Sequence, residues 1–157
     1  GAMDFAHFVI EGSSYLAVAN YKSREDCYGD VECLNPVGSQ PVENTTQLPY
    51  NVPSHILRRG AGGDFERVQA LPTRGALDWE HFVISGEHYL AVANSFDATY
   101  STPLTNSTVY KWRGASFHRF QDIETNGAKR CRYLQRDGAH MLIFVSAAAG
   151  GESAALH

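Results

Sequence analysis

At 157 residues, 43% of them apolar and 19% charged, the chain has the size and balance of a globular unit rather than of a disordered tail. Its net charge is −4 and its basic residues are scattered, so it lacks the Lys/Arg stripe that nucleic acid or an anionic membrane surface requires. No apolar run approaches the length of a membrane span, which excludes membrane insertion by a helix.

Gly1, Ala2 and Met3 read as a cloning remnant ahead of native sequence that starts at Asp4. Residues 7–10 then form a β-rich run, Gly12-Ser13-Ser14 a tight turn, and residues 15–19 a second strand. Side chains alternate along that strand, so Tyr15, Ala17 and Ala19 share one face while Leu16 and Val18 share the other. Both faces are apolar, which predicts an inner strand of a sheet covered on both sides, with the alanines placed where sheets converge on a central channel. Residues 21–54 follow as a long rim loop rich in Pro, Gly, Asn and Ser, about 20 residues longer than its counterpart at 95–107. Residues 55–76 close the unit.

Residues 4–20, DFAHFVIEGSSYLAVAN, then return without a gap as 78–94, DWEHFVISGEHYLAVAN. Residues 108–112, a turn at 113–116 and residues 117–121 give a second hairpin, in which Phe117, Gln121, Thr125, Gly127 and Ala128 match Phe65, Gln69, Thr73, Gly75 and Ala76. After Ala128 a third, degenerate copy starts, with Gly138, His140 and Leu142 52 positions beyond Gly86, His88 and Leu90. The organisation is therefore a remnant at 1–3, a first repeat at 4–76, a second at 77–128 and a partial third at 129–157. Four short antiparallel strands per unit, repeated, predict an all-β chain of β-propeller blades, about two and a half to three of them. A β-sandwich suits the composition but does not account for the repeat.

Chemistry-bearing residues are few. Cys27 and Cys33 bracket a short loop that a disulfide would pin in an oxidising compartment; two free thiols are the alternative. No second Cys/His pair stands at ligand spacing nearby, so no metal or other cofactor is expected. Cys131, aligned with Trp79, reads as a buried thiol. Asn44 and Asn106 open glycosylation sequons, the first in the long loop and the second just before a strand. His7 and His81 each follow an acid, Asp4 and Asp78, by three residues, but a catalytic pair is needed once and these recur, so they read as structural. Gln69 and Gln121 recur too, as groups satisfying backbone at blade junctions. A hydrolase would have to draw on Asp97 and Asp122, and no phosphate loop or nucleophile elbow accompanies them. No enzymatic activity is expected.

The pattern carried by Trp79, Phe82, Ile84, Gly86 and residues 89–94, then by residues 110–112, Gly114, Phe117, Phe120, Gln121, Ile123, Thr125, Gly127 and Ala128, resembles the epilepsy-associated, or EPTP, repeat. Such repeats occur in the leucine-rich glioma-inactivated proteins and in a large adhesion G-protein-coupled receptor. The resemblance implies an extracellular, seven-bladed propeller that binds other proteins and carries no catalytic residues. Two and a half units cannot close such a ring, which leaves a fragment, a subunit completed by association, or a smaller closed form. Association of copies, with a dimer favoured, best answers the exposed blade faces. The loops then predict a protein-binding rim with Tyr21, Tyr28, Tyr50, Phe96 and Tyr100 as exposed anchors, the partner being a receptor or adhesion molecule. The alternative is a lectin-like, glycan-binding propeller assembled as a homo-oligomer.

Overall fold

The structure, a computed structural model, describes residues 1–22, 50–146 and 152–155. Among them there is no helix. Three antiparallel sheets follow one another along the chain. The first holds β1 (Ala2–Ile10), β2 (Ser13–Asn20), β3 (Ser54–Arg59) and β4 (Phe65–Leu71), and the middle one β5 (Ala76–Ile84), β6 (Glu87–Asn94), β7 (Leu104–Trp112) and β8 (Phe117–Asn126). The third holds β9 (Ala128–Arg136), β10 (Ala139–Ser146) and β11 (Glu152–Ala155), in the order β11-β10-β9. Each four-stranded sheet is a simple up-and-down meander, and the three stack face to face as propeller blades that do not close into a ring. Ala2 and Met3, read as a remnant, take part in β1.

Each sheet has a forward face, turned to the next sheet, and a rear face, turned to the one before. Phe8, Ile10, Tyr15, Ala17, Ala19 and Ile56 on the forward face of the first sheet pack on Trp79, Leu90, Val92, Tyr110 and Phe117 on the rear of the middle one. Phe82, Ala91, Ala93, Val109 and Ile123 meet Cys131, Leu142 and Phe144 in the same way at the second junction. The middle sheet is thus apolar on both faces because it is buried on both.

Two expectations shift. The turns sit one residue earlier than Gly12-Ser13-Ser14 implies: Ile10 pairs with Ser13, leaving Glu11 (φ 48°) and Gly12 (φ 77°) as a two-residue loop. Ser85-Gly86 and Asp137-Gly138 repeat it with both residues at positive φ, the primed turn whose twist suits a right-twisted hairpin. The alanine strands β2 and β6 lie second in their sheets rather than at the line of convergence, where β1, β5 and β9 approach one another.

Polar hooks lock these junctions. Asp4 accepts the amide of Trp79 at 3.4 Å, and the equivalent Asp78, fully buried, accepts that of Cys131 at 2.8 Å. Arg132 (2.7 Å) and Arg130 (3.3 Å) complete the pairing of Asp78. Gln69 reaches across to Phe117, donating to its carbonyl at 2.7 Å and accepting from its amide at 2.9 Å, the junction role expected for it.

Candidate interaction rim

The up-and-down order sends the β1–β2 and β3–β4 turns to one rim and the β2–β3 and β6–β7 connections to the other. The described ends of the β2–β3 connection therefore share a rim with the β6–β7 loop. Tyr21, Tyr50 and Phe96 meet there, with ring centroids 5.1 Å apart for Tyr21–Tyr50 and 5.0 Å for Tyr50–Phe96, both edge-on. Because they pack on each other these three are half-buried, not exposed as expected, whereas Tyr100 stands 77% exposed. Burial, and then the neighbouring Tyr50, push the Tyr21 phenol up. Tyr28, Cys27, Cys33 and Asn44 lie outside the described residues.

A polar scaffold holds the cluster in place. The Tyr50 carbonyl accepts the Gly75 amide at 2.6 Å, and alanine at Gly75 (φ 57°) would be strained, its Cβ falling 2.9 Å from Ser95 Oγ. Asn51 donates to Asp97 (3.2 Å) and Thr99 (2.8 Å) and accepts the Ala98 amide (3.2 Å). Burial alone would raise the Asp97 carboxyl, but the Thr99 amide, Asn51, the Thr99 hydroxyl and Arg74 at 3.3 Å hold it below the usual range. Asp97 is thus spent on loop structure. Asp122 is likewise committed, to Arg119 and to the Thr108 hydroxyl at 3.0 Å, so neither hydrolase candidate presents a free carboxylate.

Asn106 falls inside β7, paired opposite Glu124, rather than before a strand, which shortens the expected 95–107 loop to 95–103. Its carbonyl accepts from Asn94 at 2.9 Å, and Asn106 lines an inter-sheet cleft of about 750 Å3 with Gln69, Arg74, Tyr110 and His118.

The histidines behave as the repeat implies. His7 pairs with Ser14 (2.8 Å), His81 with His88 (3.0 Å), and the equivalent Tyr133 with His140 (2.6 Å). His81 stacks on Phe8 and Tyr133 on Phe82, with centroids 4.6 and 4.7 Å apart. None is paired with the acid that precedes it, because those acids hook the next sheet. Cys131 is fully buried, and burial, then Asp78, holds its thiol protonated. Trp79 is buried between sheets and Trp112 half-buried against Tyr15, so neither offers an open platform for a sugar ring.

One device escaped the sequence. In each four-stranded sheet a serine relays between two repeated residues: the Asn20 amide donates to Ser54 Oγ (3.1 Å), Ser54 to Thr73 Oγ1 (2.9 Å), and Thr73 to the Val52 carbonyl (2.7 Å). Asn94, Ser107, Thr125 and Thr105 repeat the chain at 3.2, 2.9 and 2.9 Å. It fixes the rim-side end of every complete blade.

A rim of loops on stacked, four-stranded repeats invites comparison with known repeat proteins, and the EPTP domain model matches residues 1–59 and 64–113. The chain belongs to the EPTP domain family. The EPTP match spans the first sheet and most of the middle one. Over 84 residues it is 37% identical to the "Thrombospondin-type laminin G domain and EAR repeat-containing protein" of Mus musculus, covering 53% of this chain and 12% of that protein. Over 92 residues it is 33% identical to the "Leucine-rich repeat LGI family member 3" of Macaca fascicularis, covering 57% of this chain and 15% of that protein. This EPTP chain thus matches only a small share of its relatives' length. No helix among its described residues is long and apolar enough to cross a membrane.

Proposed function

We propose that this chain is an extracellular protein-interaction module, and that the rim bearing Tyr21, residues 50–53 and residues 95–103 is its contact surface. The observation that carries the proposal is the convergence of Tyr21, Tyr50 and Phe96, with exposed Tyr100 on the same 95–103 loop as Phe96. Rigid aromatics with apolar bodies and polar tips are the side chains that anchor interfaces, and a scaffold of committed polar groups holds them without ordering cost on binding. The partner is a receptor or adhesion protein. Extracellular placement carries with it a Cys27–Cys33 disulfide and a glycan at Asn44 or Asn106, each readable by peptide mass mapping of secreted material.

The test is saturable binding of the purified chain to cultured cells, read by flow cytometry. Tyr100→Ala and Phe96→Ala are expected to weaken binding about tenfold or more, while Glu11→Lys on the opposite rim leaves it unchanged. Equal binding by all three would refute the assignment of the rim.

A further inference from the structure

Where the second repeat departs from the first, a side chain is free to carry something the sheet itself does not need, and Asn106 is such a residue. Asn94 donates to its carbonyl at 2.9 Å, just as Asn20 donates to the carbonyl of Pro53 at 2.9 Å, so the two positions are equivalent and the sheet is built equally well with proline there. The carboxamide of Asn106 makes no hydrogen bond to a described residue, whereas those of Asn20, Asn51 and Asn94 are all engaged. Asn106 is half-buried, and it opens the triplet Asn106-Ser107-Thr108.

A substituent on that carboxamide has a place to lie. The cleft between the first and middle sheets is lined by Asn106, Thr108 and Tyr110 but not by the intervening Thr105, Ser107 and Val109, so the alternate side chains of β7 face it. Its volume of about 750 Å3 falls in the range, roughly 300–1,000 Å3, that receives a drug-sized ligand, and the first pyranose rings of a glycan are of that size. Pro53 and Pro72 offer apolar patches to the C–H face of a sugar ring, and no Asp or Glu stands among the described lining residues. Arg119 spends Nε and Nη2 on Asp122, and Arg74 spends Nε on Asp97, which leaves guanidinium N–H groups on both for sugar oxygens.

We infer that this cleft seats the first sugars of an N-linked glycan carried by Asn106, a carbohydrate site built into the junction. It rests on the extracellular placement proposed above. Attachment is a transfer from an oligosaccharide pyrophosphate: the bond from Asn106 Nδ2 to the anomeric carbon forms, the bond from that carbon to the pyrophosphate oxygen breaks, the pyrophosphate leaves with the electron pair, and one Nδ2 proton is released. In the folded sheet β7 is paired with β8 and Thr108 Oγ1 donates to Asp122 at 3.0 Å, so the hydroxyl that marks the acceptor is engaged. Transfer therefore precedes folding, and the sugars are laid into the cleft as the two sheets pack. Asn51 and Arg74, which hold the aromatic cluster, line the same cleft, so the glycan stands beside the contact rim.

The full chain, expressed behind a secretion leader in mammalian cells, tests this by peptide mass mapping before and after treatment with peptide N-glycosidase. Asn106 is expected to be modified in the parent and in Thr108→Ser, and bare in Thr108→Ala. Hydrogen exchange of the glycosylated chain against Asn106→Gln should then be about tenfold slower at residues 69–74 and 117–119, the walls of the cleft, and unchanged in β10. A bare Asn106 would overturn the inference whether or not Asn44 is modified, and modification at Asn44 alone would leave the extracellular reading standing. Equal exchange in the two forms, or slowing spread evenly through all three sheets, would overturn the seat. Binding to cells, measured as above, tests the contact rim independently of either result.

Discussion

At the scale of single residues, the stack depends on how few polar groups it buries and how each is matched. His81 illustrates the cost of a titratable group at a junction. Burial, with His88 adding to it, depresses its imidazole from 6.5 to about 4. Between those values the unfolded chain takes up a proton that the folded chain refuses, so the contribution to stability is complete above about pH 6.5 and drains away as the pH falls to about 4. The third sheet already contains the remedy, since Tyr133 occupies the same place, stacks on Phe82 and reaches His140 with its hydroxyl. His81→Tyr is therefore expected to fold and to flatten the urea midpoint between pH 6.5 and 4. His55, also held low by burial and then by Arg67, keeps the curve from becoming wholly flat. An unchanged slope in the variant would show that His81 is not the group that titrates.

At the scale of elements, the amide of Gln69 joins two sheets by donating to one backbone group of Phe117 and accepting from another. Gln69→Ala strands both, one of them the amide of a residue only 2% exposed, and is expected to cost about 1–3 kcal/mol in urea unfolding. Gln69→Glu should cost a similar amount, since a carboxylate accepts from the amide but faces the carbonyl without a proton; full stability in the glutamate form would argue that the bond to the carbonyl is idle. The sequence made Gln69 visible because it recurs 52 positions later as Gln121, and made the hairpins visible through alternation and glycine. Ser54 and Ser107 stayed hidden for a specific reason. They lie 53 positions apart, because the β3–β4 turn spans five residues between Arg59 and Phe65 while the β7–β8 turn spans four between Trp112 and Phe117, so a gapless alignment of the second halves misses the pair. The half-burial of Tyr21, Tyr50 and Phe96 was equally out of reach: each is an aromatic in a polar loop, and only the shared rim brings them into edge contact. Alternation could show that β6 is covered on both faces, but not that β5, one strand over, is the strand on which β1 and β9 converge.

At the scale of the molecule, stability in a stack of repeats is a sum of what each sheet holds alone and what each junction adds. The middle sheet has two junctions and the outer sheets one each, so amides of β6 and β7 should exchange most slowly, and those of β1 and β10 earlier, by local opening. Hydrogen exchange followed by mass spectrometry reads this order strand by strand, and amides of β1 or β10 that exchange as slowly as those of β6 and β7 would show that the junctions do not set it.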